Sequence, residues 1–215
     1  MEIDNQTLKN KISESQLCQR NWDLSKEIPQ EHIDILVHAV TQCPSKQNIS
    51  HYSVKFITNR EIIEQIHENS WAPVPTNSPF PSRTNPQVLA SLLVLFEKKS
   101  LKDIVVEGHN DIYNTDHNKE FGFDETEIYN RDSATSVGIA AGYLNLTAHL
   151  LGYKTGFCAC FDNEPVKGLL NSTYEPMVFL GIGYPNSDID RRIHHTTNRT
   201  LTAFPKQPID YTFIK

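Results

Sequence analysis

The chain has 215 residues, 38% hydrophobic and 21% charged, a balance that suits a folded globular protein and excludes a disordered one. Its formal charge of −6 and the lack of any lysine- and arginine-rich run argue against a nucleic-acid surface. No apolar run reaches membrane-spanning length, because Asn145, Thr147 and His149 interrupt the best candidate, and four cysteines at this length do not make a disulfide framework. Residues 1–15 are polar and lack the apolar core of a signal peptide, so a cytoplasmic protein is expected. The length fits one domain over 1–215.

In chain order, residues 5–18 read as a polar amphipathic helix with Leu8, Ile12 and Leu17 on its apolar side. Pro29 opens a second helix, in which Ile33, Leu36, Val37 and Val40 have the spacing of a buried face. It is expected to end near Cys43, since Pro44 disfavours helical backbone in the residue before it. A loop over 44–50 leads to a strand over 52–58 and a helix over 59–67. The proline-rich residues 71–86 read as an irregular connection, and 91–96 as a fully buried strand. Residues 102–129 are polar, with Tyr113, Phe121 and Phe123 as aromatic tips, and a loop of that length within one domain usually carries function.

Residues 132–161 form the expected centre of the domain. Val137, Ala140, Ala141, Leu144, Ala148 and Leu151 share one helical face, while Ile139, Tyr143, Leu146 and Leu150 make the other side apolar too. Such a helix is buried, in the core or at a subunit interface. Asp132 or Ser133 is expected to cap its start and Gly152 its end. A strand over 154–161, a short helix over 163–170 and a strand over 177–181 follow. The tail, 200–215, has no core pattern and ends in a strand-like stretch at 211–214.

Several motifs are missing. Neither Gly-x-Gly-x-x-Gly nor Gly-x-x-x-x-Gly-Lys occurs, and no Gly-x-Ser-x-Gly elbow presents a serine. Cys158 and Cys160 share one face of a strand without a second ligand pair, so they read as buried small hydrophobes rather than a metal site. His194-His195 lies in a polar stretch and reads as a solvated loop.

Four segments together resemble the flavin-dependent nitroreductase family. Cys18-Gln19-Arg20-Asn21-Trp22, followed by Ile28-Pro29, is similar to that family's N-terminal Arg-x-Ser-x-Arg-x-aromatic signature. Cys43-Pro44-Ser45-Lys46-Gln47-Asn48 is similar to its Ala-Pro-Ser-x-x-Asn loop. Thr84-Asn85-Pro86-Gln87 precedes the buried strand, and the central helix runs through Leu151-Gly152-Tyr153-Lys154-Thr155-Gly156 toward Gly181-Ile182-Gly183-Tyr184-Pro185.

The resemblance implies an α+β nitroreductase-like fold, a mainly antiparallel sheet flanked by helices. It further implies a homodimer with the central helix at the interface, and flavin mononucleotide (FMN) bound between subunits. NAD(P)H would deliver hydride to the flavin, which reduces a nitroaromatic, quinone or related small acceptor, with no protein residue as acid or base in the first step. Arg20 and Arg199 are the implied phosphate ligands, with Arg191 and Arg192 as rivals of Arg199, and Cys18 and Gln19 flank the cradle. Pro44, Ser45, Lys46 and Asn48 would meet the flavin from the partner subunit. Arg83, Asn85 or Gln87 would serve the pyrimidine end of the ring, and the backbone of Cys158, Ala159 and Cys160 its hydride-accepting nitrogen. Residues 102–129 would shape the substrate pocket. Gln16 and Cys18 depart from the signature's arginine and serine, which weakens the cradle or moves part of it elsewhere, to Lys154 or the C-terminal arginines. Alternatives within this resemblance are a specialised flavin reaction, dehalogenating or flavin-fragmenting, and a non-enzymatic flavin-binding protein.

Overall fold

Leu92–Lys98 is buried on both sides from Leu92 to Glu97, which makes it the inner strand around which the sheet is built. The computed structural model describes residues 3–71, 84–104, 113, 120–122, 124–197, 199–201 and 203–214. In it, β1 (Tyr52–Ile57), β2 (Leu92–Lys98), β3 (Lys154–Cys158) and β4 (Glu175–Gly183) pair antiparallel in the order β1-β2-β4-β3. Tyr52 faces Lys98 and Ile57 faces Leu93 across the first pair, Leu92 faces Ile182 in the centre, and Lys154 faces Gly183 at the far side.

Helices cover both faces: α1 (Asn5–Ser15), α2 (Gln30–Thr41), α3 (Arg60–Glu68), α4 (Glu125–Leu150) and α5 (Asn163–Leu169). Because strand side chains alternate, Leu92, Val94 and Phe96 meet α2 and α4 through Leu36, Val40, Val137, Ala140, Leu144 and Ala148. Leu93 and Leu95 point the other way, onto Ile63 and Ile66 of α3, Val166 of α5 and Trp22. This is the expected α+β arrangement, with the central helix packed on the sheet.

Some elements differ from the sequence reading. α4 begins at Glu125, capped by Asp124, whose Oδ1 accepts from the N–H groups of Thr126 and Glu127 at 2.7 and 3.0 Å. Asp132 and Ser133, expected as its cap, are buried within it, because the two turns before them carry only Ile128 and Tyr129 as apolar residues, too few to read as a stripe. Its end falls where expected, with Gly152 at φ +94°, a conformation that favours glycine. α1 stops at Ser15, short of residue 18, because Cys18 leaves the helix to bridge Thr155. β3 stops at Cys158 rather than 161: Cys160 O accepts instead from the Trp71 N–H at 2.9 Å, drawing the chain toward the end of α3. Residues 211–214 form no strand among the described residues, and Ile214 is 97% exposed. No helix among the described residues is long and apolar enough to cross a membrane.

Candidate functional site

A cleft of about 1140 Å³ opens beside the outer edge of β3. After α1 the chain adds to that edge: Cys18 bridges Thr155 in parallel and the Gln19 N–H donates to Thr155 O at 2.7 Å. This places Cys18 and Arg20 in the lining together with Phe157 of β3 and Asn145 of α4. Residues 190–192 and 203–209 complete it.

The cleft is cationic. Arg20 Nη1 is buried and has no hydrogen-bond partner among the described residues. A buried guanidinium nitrogen left unpaired is costly and marks a place for an acceptor. Arg191 stands beside it: the Arg20 N–H donates to Arg191 O at 3.1 Å, and Arg191 Nη1 donates to Cys18 O at 3.0 Å. Arg192 is engaged by Asp190 at 2.6 Å, and its hydrogen bonds hold that carboxyl far below the usual carboxylate range. Arg20 and Arg191 are therefore the guanidiniums best placed to serve an anion.

Deeper in, the Asn145 side chain fixes two elements of the lining. Its Nδ2 donates to Ser15 O at 2.9 Å, and its Oδ1 accepts from Thr155 Oγ1 at 2.6 Å. Thr155 Oγ1 in turn lies 3.1 Å from Nε2 of fully buried His149, whose pKa burial pushes down to about 4. The sequence marked Asn145 only as a break in an apolar run; a polar residue inside such a helix was the available signal.

The remaining predicted residues fall into separate groups. Gln19 is buried and its side chain donates to Asn21 O at 2.6 Å. Asn85 caps the turn Pro86–Leu89, and Gln87 Nε2 donates to Phe157 O at 3.0 Å, joining that turn to β3. Arg83 lies outside the described residues. Cys158 is buried, which pushes its thiol up to about 12; Cys160 is half-buried and Ala159 exposed. Among the described residues no group of His, Cys, Asp or Glu has the geometry to hold a metal. Arg199 does not line the cleft; its carbonyl accepts from the His194 N–H at 2.7 Å in a short hairpin. His194, read as solvated, is buried, because Thr84 and His67 pack on it.

The loop over 44–48 stands in a different cleft of about 670 Å³, which Ser45 and Asn48 line with Val40, Tyr52 and Val54. Gln47 and Asn48 both have positive φ, 54° and 57°. Pro44 is exposed, and Ser45 Oγ donates to Ile49 O at 2.9 Å. Lys46 is tied to Asp132 of α4 at 2.6 Å and lies 5.0 Å from the centre of the Tyr113 ring. Burial raises the Asp132 pKa, but Lys46 and Arg131 outweigh it and hold the carboxyl below its ordinary value. Beneath them, fully buried His51 bonds Tyr113 Oη at 2.6 Å and Ser136 Oγ at 3.1 Å.

The nitroreductase family model matches residues 17–184, from the edge that carries Cys18 to the turn after β4. The chain belongs to the nitroreductase family. As a member it is a flavoprotein oxidoreductase in general terms. Solved structures share the fold. The NfrA1 nitroreductase from B. subtilis is 15% identical at TM-score 0.60, with 84% of this chain and 67% of that one covered. A nitroreductase family protein from Clostridium novyi NT is 16% identical at TM-score 0.60, with 95% and 97% covered. An FMN-dependent nitroreductase from Clostridium difficile R20291 is 17% identical at TM-score 0.52, with 85% and 95% covered. No curated protein matches the sequence.

Proposed function

We propose that this nitroreductase is an FMN-dependent oxidoreductase that uses NAD(P)H to reduce a nitroaromatic, quinone or related small acceptor. The observation that carries the reading is the unpaired, buried Nη1 of Arg20 in a cleft that Arg191 also lines. A phosphate monoester brings up to about two negative charges and three acceptor oxygens, the complement of two guanidinium groups. The residues present therefore fit FMN at its phosphate end.

In this reading Arg20 and Arg191 hold the phosphate, Arg191 taking the place first given to Arg199. Phe157 offers an exposed apolar face to the ring, and Gln87 fixes the carbonyl of that residue. The backbone of 157–160 supplies an N–H toward the ring, while the Cys158 thiol stays protonated and takes no part. When bound, the flavin would supply the two-electron hydride chemistry that links NAD(P)H to the acceptor, while these residues hold and orient it.

A cytoplasmic homodimer completes the reading. On α4, Tyr143 and Leu150 are exposed in one subunit, 49% and 38%, although they belong to a helix that is apolar nearly all round. The loop over 44–48 and Arg20 occupy separate clefts of one chain, as expected if each loop serves the flavin of the partner.

The test is anaerobic addition of NADH or NADPH to the FMN-loaded protein. Bleaching of the flavin band, followed by recovery with a quinone or nitroaromatic, is the expected result. A bound flavin that neither nucleotide reduces would make the protein a flavin binder instead.

A further inference from the structure

Three histidines lie outside the lining of the cleft and have no part in the proposed flavin site. His67 ends α3, and its ring centre is 5.8 Å from that of His194. His195 follows, and its Nδ1 accepts the backbone N–H of Trp22 at 3.1 Å. His194 Nδ1 accepts the backbone N–H of Thr196 at 3.2 Å, which leaves its Nε2 to bond Thr84 Oγ1 at 3.2 Å. An imidazole nitrogen that accepts from a backbone N–H carries no proton, so both rings are held neutral by geometry.

These bonds have a mechanical consequence. Residues 190–197 and 199–201 are joined as a small hairpin by the Ile193–Thr200 bridge and by the Leu201 N–H donating to Arg192 O at 2.8 Å. Asn21 Nδ2 donates to Asp190 O at 2.6 Å, and Arg20 N–H to Arg191 O at 3.1 Å. The hairpin thus sets where Arg191 stands against residues 18–22, and the His195–Trp22 bond is one of the pins between them.

We propose that His194 and His195 are positioning residues: neutral His195 pins the hairpin that carries Arg191 to the Arg20 strand, neutral His194 braces that hairpin internally at Thr196, and protonation releases the phosphate end of the cleft. The inference rests on the reading of that cleft as a flavin site.

Protonating either ring turns an acceptor into a donor that faces another donor, Trp22 N–H or Thr196 N–H. The charges that bear on the rings oppose a new positive charge as well. Arg60 of α3 acts on His67 and His195, Arg199 acts on His194, and of the rings His194 and His195 act on His67 and His195 on His194. Among the described residues no carboxylate figures in the shifts of these rings; Glu64, the partner of Arg60, is engaged at 3.1 Å. Burial first lowers the pKa of all three rings, His67 to about 4, and the neighbouring charges add to it, while a hydrogen bond to Thr84 offsets part of the shift at His194. The state with His194 and His195 protonated is the released one.

The test measures FMN affinity from about pH 8 to about pH 5, the range in which histidine titrates. The proteins compared are the parent, His195→Asn, and the double variant His194→Asn/His195→Asn. Asparagine presents a carbonyl near the position of Nδ1 and does not titrate. The parent is expected to lose about tenfold in affinity across the range, a change of about 1.4 kcal/mol. Each variant should lose less than about threefold across the same range, whatever its affinity at the upper end. The phosphate of FMN titrates in the same window, but equally for every protein, so the difference belongs to the histidines. A flat parent, or variants as pH-dependent as the parent, overturns the proposal.

Amide hydrogen exchange of the flavin-free parent gives a second readout that needs no variant. Protection at the Trp22 and Thr196 amides should fall together on acidification, and protection held to about pH 5 overturns the latch. Failure to bind FMN at about pH 8 would instead sink the flavin reading, and with it the link to the cofactor, while exchange still reports on the pins.

Discussion

Arg20 meets the cleft with a guanidinium nitrogen that is buried and finds no acceptor among the described residues. Changing it to alanine should weaken FMN binding by about 2–3 kcal/mol, the size of a lost charge-assisted contact, and leave riboflavin almost unaffected. Titrating both ligands into parent and variant checks this; equal losses would mean that Arg20 is structural. Arg191→Ala should follow the same pattern and Arg199→Ala should not, since only the former lines the cleft. Cys158→Ser with Cys160→Ser should keep anaerobic flavin reduction within about tenfold of the parent, because a thiol held near 12 is no thiolate at neutral pH. A thousandfold loss at full flavin occupancy would bring the thiols into the chemistry. At this scale a local signature singled out Cys18, Arg20 and Trp22, of which the structure sets the first two in the lining of one cleft and buries Trp22 in the core beside it. Which C-terminal arginine arrives was not legible, since the hairpin over 190–201 decides it through hydrogen bonds between distant residues.

The sheet and its helices were largely legible because their periodicities are strong. Alternation along β2 splits Leu92, Val94 and Phe96 from Leu93 and Leu95, and the stripe from Val137 to Ala148 seats α4 on the first set. The start of α4 was not legible, because residues 125–131 offer only Ile128 and Tyr129 to a small separate core, and their first turn is fixed by the Asp124 cap. The tail over 203–214 was not either, since a lone extended segment takes its conformation from whatever covers it. Close packing between elements sets one prediction. At Gly181 of β4 an added Cβ would lie 2.1 Å from Gln87 O, a backbone atom that cannot swing aside. Gly181→Ala should cost at least about 1–3 kcal/mol, read as a lower urea midpoint at unchanged m-value. A second prediction concerns acid. His149 of α4 and His67 of α3 are kept neutral by burial, with pKa values near 4 against an ordinary 6.5. The unfolded chain therefore binds protons first: stability from these groups is whole above about 6.5 and is lost as pH falls toward 4. Melting temperature should drop by more than about 2–4 °C over that window, the equivalent of about 1 kcal/mol, and His149→Gln should reduce the drop. An unchanged pH profile in that variant would place the sensitivity elsewhere.

For the whole molecule, the sequence pattern called for α4 to be buried, in the core or at a subunit interface, and the chain packs it on the sheet while leaving Tyr143 and Leu150 exposed. Tyr143, Leu150 and the aromatic and aliphatic residues of the tail, with Phe204 at 86% and Ile214 at 97% exposure, are the apolar side chains that a second copy would cover in the proposed dimer. Tyr143→Asp should shift the assembly toward monomer, and flavin should be lost along with the dimer if the partner's 44–48 loop helps to hold it. Sedimentation velocity of the FMN-loaded parent, followed both in the ultraviolet and at the visible flavin band, tests the account most directly. Both signals should travel together in one boundary at twice the mass of the chain. Flavin left behind as free ligand, or carried by a particle of single-chain mass, would contradict it.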